Sequence, residues 1–235
     1  TTRVPVMWLA LVLGALVFRW ARQICGCAAG FLALTLFILN PEIISQAQLN
    51  TTDMGLAMFA FATSYALAWF LRCPSWPRLI VSGLAAGLTL SSKSSGAFFV
   101  IMGGLIIALG AMVLGKSSRR TVGFWLAALM TFGGLALFVL WAVYLFEVRT
   151  LPGFPFPLPA ATHWDELLSM RSYIGTGQLT FLAGKLYSKG LWTYFPLAVL
   201  VKTPLPILIG LAVALGLSVR RSLRPLWSAL PLTLT

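Results

Sequence analysis

The sequence predicts an all-α fold: a polytopic transmembrane helix bundle of about seven complete spans plus one truncated, with one long extracytoplasmic loop. Three observations predict it. Of the 235 residues, 59% are hydrophobic and 9% charged, and the mean hydropathy of +0.92 is not that of a soluble domain. Apolar runs of roughly 17 to 25 residues recur along the whole chain, each long enough to cross a hydrocarbon core of about 30 Å. Lys and Arg gather in alternate short connections between these runs.

Spans are expected near residues 4–20, 24–40, 54–71, 121–146 and 197–218, with an incomplete one from about 225. The first run is followed by others of the same kind, so it reads as a span and not as a signal peptide. The run from 79 to 115 reaches roughly 56 Å at about 1.5 Å per residue, close to two crossings. Because "SSKSSG" interrupts it at 91–96, two short helices with Lys93 at the turn are predicted. The chain starts at Thr1 without a methionine and ends in "PLWSALPLTLT", which reads as a piece of a longer protein.

One set of connections holds Arg19 and Arg22, then Arg72 and Arg78, then "KSSRR" at 116–120 and "RRSLR" at 220–224. The other holds Glu42 and Asp53, then Lys93, then the segment 147–193. The positive-inside rule puts the first set in the cytoplasm and the second outside a cytoplasmic (cell) membrane. That topology also accounts for the net charge of +12, which in a soluble protein would suggest nucleic acid. Cys25, Cys27 and Cys73 lie at span ends beside arginines, and Cys-x-Cys with no second pair reads as small apolar residues, not a metal site.

The segment 147–193 carries the soluble-like chemistry. Its Pro-rich first third excludes a helix or a central strand. "ATHWDELLSMRSYI" predicts a short helix lying on the membrane, with Thr162 as N-cap, Asp165 and Glu166 in the first turn, and His163 at the surface.

Charges near a membrane core need a reason, since an ionised group at its centre costs about 2.5 to 3.5 kcal/mol on insertion scales. Two roles fit Asp53: an N-cap for the helix that follows "NTTD", or an outward carboxylate for a hydroxyl, an amine or a divalent cation. Lys93 either snorkels to the interface or offers a fixed positive charge to a phosphate, aided by its serine neighbours. In "YSKGLWTYFPLAVLVKTPLP" (187–206), Pro204 and Pro206 break the helix beside Lys202. Lys185, Lys189, Trp192, Tyr194 and Phe195 precede it, a setting suited to a lipid phosphate at the outer headgroup level or to an ordinary aromatic belt. Arg171 adds a further candidate cation on the same side.

"NPEIISQAQLNTTDMGLAMF", "LIVSGLAAGLTLSSKSSG" and "GKLYSKGLWTYFPLAVLVKTPLP", in this order, resemble the bacterial relatives of protein O-mannosyltransferases and aminoarabinose transferases. These are GT-C-type membrane glycosyltransferases of family 39. The resemblance covers most of the chain and implies that residues 1–235 form a single GT-C-like transmembrane domain, with 147–193 inserted between spans. It implies transfer of a sugar from a polyprenyl-phosphate lipid to a protein, lipid or glycan acceptor, with inversion at the sugar carbon. The family's general base lies in a first external loop, expected upstream of Thr1, so no catalytic base is assigned here and the given polypeptide alone is expected to be inactive. Asp53 matches the later acid of the family, with Glu42 and Gln46 as companion acceptor or donor candidates and Asp53 as the candidate metal contact. Gln46 departs from the histidine that many members carry nearby. Lys93, Arg171, Lys189, Tyr194 and Lys202 are the candidates for the donor phosphate. A transporter or flippase, and a non-catalytic membrane assembly subunit, are the competing readings.

Overall fold

Pro5 occupies the first turn of α1 (Val4–Cys25), where a missing N–H removes no helical bond. Gly26 ends the helix at φ 87° and donates its N–H to the Arg22 carbonyl at 2.9 Å, so α2 (Cys27–Ile38) turns back along α1. Small residues let the two approach. A Cβ at Gly14 would lie 3.1 Å from the Phe37 ring, and one at Gly30 would lie 3.0 Å from the Arg22 Cβ. The structure is a computed structural model describing residues 3–49, 51–114, 121–175, 180–182, 184–187 and 191–220.

Asn40 starts α3 (Pro41–Gln48): its Oδ1 accepts the Glu42 N–H at 3.0 Å, and the helix bends 60° away from α2. The span expected at 24–40 is therefore only the twelve-residue α2, with α3 continuing the crossing after the bend. Pro41 keeps Asn40 out of the α region and forces the break.

The central helices are α4 (Asp53–Arg72), α5 (Trp76–Ser92), α6 (Gly96–Leu114) and α7 (Val122–Val143). The interrupted 79–115 run forms the predicted hairpin of α5 and α6. α5 packs against α4, α6 and α7, and Ser82, Gly83, Ala86 and Gly87 give it a small-residue face. A Cβ at Gly83 would lie 2.9 Å from the Leu135 Cβ, and one at Gly87 would land on the Val139 side chain. Around this contact Leu67, Phe70, Leu79, Ile107, Trp125 and Phe132 form the core. The buried hydroxyls of Thr63 and Thr89, 3.0 Å apart, satisfy each other.

Trp8, Leu11, Phe98 and Met130 point outward, as lipid-facing positions do. Among the described residues, four helices are long and apolar enough to cross a membrane alone, and the count rises to six if each of two bent pairs is one span. With α5, whose 17 residues reach about 26 Å inside the bundle, these are the segments expected as seven spans. The expected 197–218 span is α9 (Tyr194–Lys202) and α10 (Leu205–Arg220), bent by 111° where Thr203 and Pro204 interrupt the ladder. The incomplete run from 225 and the basic cluster at 116–120 lie outside the described residues.

Among the described residues between α7 and α9, the chain forms two short antiparallel hairpins and one helix. β1 (Val148–Arg149) pairs with β2 (Leu158–Pro159), α8 (Ala161–Gly175) is the predicted surface helix, and β3 (Thr180–Leu182) pairs with β4 (Lys185–Tyr187).

Candidate functional site at the Asp53–Lys93 end

Asp53 is the first residue of α4, and Thr52 before it makes no side-chain cap bond. Lys93 follows the last residue of α5 in an extended conformation, φ −161°. Its carbonyl accepts the Gly96 N–H at 2.8 Å, closing a tight turn into α6. A Cβ at Gly96 would fall on the Thr89 carbonyl, so only glycine fits there. This turn aims the Lys93 Nζ at Asp53 Oδ1, to which it donates at 2.6 Å, with the two side chains 38% and 44% exposed. The pairing replaces both simple alternatives: Asp53 is not acting as an N-cap, and Lys93 is not a lone snorkelling cation. Charge sparsity carries the signal that spacing lacks. Asp53 is the only acid between Glu42 and Glu147, Lys93 is the only charge in the 79–115 run, and isolated opposite charges at one membrane face pair.

Other expected residues gather beside this pair. Gln46 Nε2 donates to Glu42 Oε1 at 3.2 Å, and the Thr51 hydroxyl donates to Gln46 Oε1 at 3.1 Å, so Glu42 and Gln46 form a chain on α3 that ends two residues before Asp53. A Cβ at Gly55 would meet the Ser92 Oγ at 3.6 Å, which measures how closely α4 and α5 approach here. The Ser94 hydroxyl donates to Met170 Sδ at 3.3 Å and so brings α8 against the Lys93 turn, with Arg171 exposed next to Met170. Tyr194 is half-buried at the start of α9 and Lys202 is exposed at its end. Among the described residues, no hydrogen bond or ion pair joins either to Asp53 or Lys93. Lys189 lies outside the described residues.

The donor set does not suit a divalent cation. An ammonium already sits on the Asp53 carboxylate, and among the described residues no three His, Cys, Asp or Glu side chains come together. Cys25, Cys27 and Cys73 are exposed free thiols.

Glu147 builds the platform on which α8 rests. Its carboxylate accepts the Thr162 N–H at 3.1 Å and the Thr162 hydroxyl at 3.0 Å, while its own carbonyl accepts the Trp141 indole N–H at 3.0 Å. The expected N-cap role of Thr162 is thus corrected: a distant carboxylate serves the positive end of the helix. These two Thr162 bonds, with Arg149 nearby, hold the Glu147 carboxyl below its ordinary value. His163 is likewise not at the surface. It is 1% exposed, its ring lies 5.9 Å from that of Tyr144, and its Nε2 has no partner among the described residues. Burial lowers its proton affinity, with Glu166 opposing.

Both groups bind protons more weakly folded than unfolded, so the platform is stable at neutral pH and weakens as pH falls. The His163 contribution is lost below its ordinary value of 6.5, and that of Glu147 below 4.5. Hydrogen exchange, corrected for intrinsic rates, is expected to show α8 losing protection between pH 7.5 and 5.5 while α5 keeps it. His163→Phe removes the change; equal α8 protection at both pH values in the native protein would contradict this account.

A bundle with lipid-facing helices and an ion pair at one end, beneath an extramembrane helix, defines a multi-pass membrane protein with a polar site at one membrane face. The chain belongs to the dolichyl-phosphate-mannose-protein mannosyltransferase family, a family of membrane glycosyltransferases, whose model matches residues 1–145. The match spans α1 to α7 and includes Asp53 and Lys93; Arg171, Tyr194 and Lys202 follow it. No curated protein and no solved structure matches the chain significantly.

Proposed function

We propose that the chain acts in transfer of a sugar from a polyprenyl-phosphate carrier to a protein, lipid or glycan acceptor at the extracytoplasmic face. The observation that carries the reading is the Lys93 ammonium, fixed by Asp53 on the bundle end opposite the arginines of α1 and α4. By the positive-inside rule the arginine end faces the cytoplasm and Lys93 faces outward.

In this reading a base takes the proton from the acceptor hydroxyl or amine, and the freed electron pair attacks the anomeric carbon. The bond from that carbon to the phosphate oxygen breaks with inversion, and polyprenyl phosphate leaves with one more negative charge. A cation held beside that oxygen meets more charge in the transition state than in the bound donor, which is the condition for acceleration. Lys93 fills that role, Asp53 orients it, and Lys202, Arg171, Tyr194 and Lys189 are the further candidates for contact with the lipid phosphate. The base is not assigned to a described residue, and no step is given to a divalent cation.

The full-length protein in nanodiscs is expected to release polyprenyl phosphate from a polyprenyl-phosphate sugar when an acceptor is present. Lys202→Ala lowers that turnover by more than tenfold; an unchanged rate removes Lys202 from the site. The 60° and 111° breaks at α2–α3 and α9–α10 favour a second reading, because broken helices also mark transport sites. Movement of an intact donor across sealed vesicles, with no polyprenyl phosphate formed, would select it.

A further inference from the structure

The end of the bundle opposite Asp53 and Lys93 has a cavity of its own. Twenty residues of α4, about 30 Å, separate Asp53 from Arg72. There α1 and α4 enclose about 310 Å³ lined by Arg19, Trp20, Gln23, Tyr65, Trp69 and Arg72, with Ala68 at the wall.

Two buried donors at this cavity have no partner among the described residues: the Trp20 indole N–H and the Arg72 Nε–H. Buried polar atoms are nearly always paired, so two orphans on residues that line one cavity point to a ligand that accepts hydrogen bonds once these side chains turn toward it. The remaining wall is pre-ordered. Arg19 Nε donates to the Tyr65 hydroxyl at 3.1 Å, which donates to Gln23 Oε1 at 3.0 Å, and Trp20 packs against both Phe61 and Tyr65. The carbonyls at the end of α4 do not compete for these cations. Arg78 already serves them, donating to the Trp69 and Cys73 carbonyls at 3.4 and 3.1 Å and stacking 4.7 Å over the Trp69 ring.

Nor does the chain supply a counter-charge. Its five acids are Glu42, Asp53, Glu147, Asp165 and Glu166, all on α3, at the start of α4 or in the segment carrying α8. Two arginines at one cavity, one of them with an unpaired Nε–H, and no carboxylate in reach call for an external anion. Guanidinium groups match phosphate oxygens in shape and charge, and tryptophans beside them suit the headgroup depth of a bilayer.

We propose that this cavity binds a phosphate-bearing anion, through Arg19, Arg72 and the Trp20 indole, at the membrane face opposite the transfer site. By the positive-inside rule that face is cytoplasmic, where anionic phospholipids are presented. The volume lies at the lower end for small-molecule sites and suits a headgroup, with acyl chains left in the bilayer. This proposal stands apart from the transfer reaction: it holds or fails whatever the fate of Lys93.

The test is fluorescence anisotropy of a labelled phosphatidic acid titrated with the full-length protein in neutral detergent. Unlabelled phosphatidic acid is expected to compete and phosphatidylcholine not. Arg19→Gln weakens binding at least fivefold, Arg19→Gln with Arg72→Gln at least tenfold, and Arg3→Gln at the other end leaves it unchanged. Because Arg72 is partly buried, the single Arg19 variant serves if the double one unfolds. Competition by millimolar inorganic phosphate identifies the phosphate group alone as the ligand; its failure, with phosphatidic acid still competing, identifies a lipid headgroup. Binding unaltered in the folded Arg19 variant, equal competition by phosphatidylcholine, or an equal loss in Arg3→Gln would each overturn the proposal.

Discussion

Lys93→Gln is expected to slow turnover about a hundredfold, on the order of 2.7 kcal/mol of transition-state stabilisation, the scale found when one preorganised charge-stabilising donor is removed. Asp53→Asn is expected to slow it about tenfold, because the ammonium stays but loses the 2.6 Å anchor that aims it. The double variant separates the roles. If Asp53 acts only through Lys93, the pair together loses no more than Lys93→Gln alone, a non-additivity that two independent contributions would not give. Rates near native in Lys93→Gln would take the ion pair out of the chemistry. A double variant whose losses multiply would instead give Asp53 a contact of its own with donor or acceptor.

Gly96→Ala is expected to be as damaging by a different route. The added methyl would coincide with the Thr89 carbonyl, a backbone atom that moves only if the α5–α6 turn opens. Overpacking of a filled site typically costs about 1 to 3 kcal/mol, and here the strain falls on the turn that carries Lys93. Both the thermal midpoint and turnover should therefore drop. Gly134→Ala is the control, since a Cβ there meets nothing within 4 Å, and its midpoint should stay at or slightly above native. Equal behaviour of the two variants would show that the turn tolerates a side chain.

Much of the fold is legible in the sequence because membrane spans announce themselves by length. The α5–α6 hairpin is readable from one polar interruption, and the break before α10 from two prolines. α3 is not readable: eight residues that mix Pro, Glu, Ser and Gln with two isoleucines lack the run that marks a span. The site is half legible. Asp53 and Lys93 stand out by their isolation, but their contact joins residues 40 apart and depends on how α4 and α5 cross. His163 carries no local sign of burial, because its cover comes from Tyr144 at the end of another helix and from the cap supplied by Glu147. The cavity at Arg19 and Arg72 escapes notice for another reason. Topology alone accounts for arginines at span ends, and only the unpaired Arg72 and Trp20 nitrogens distinguish these from the rest.

The separation of acids from arginines along α4 has an electrical consequence. Each charge carried through a membrane potential exchanges about 2.3 kcal/mol per 100 mV with the field. Arg19, Arg22, Arg72 and Arg78 lie at the end opposite Asp53; in the orientation proposed above, an inside-negative potential would do work to keep that end inward, and reversing the bundle would move four cations against it. In that orientation the energised membrane would act as a latch on the protein, and collapsing the potential during insertion should raise the fraction of inverted copies.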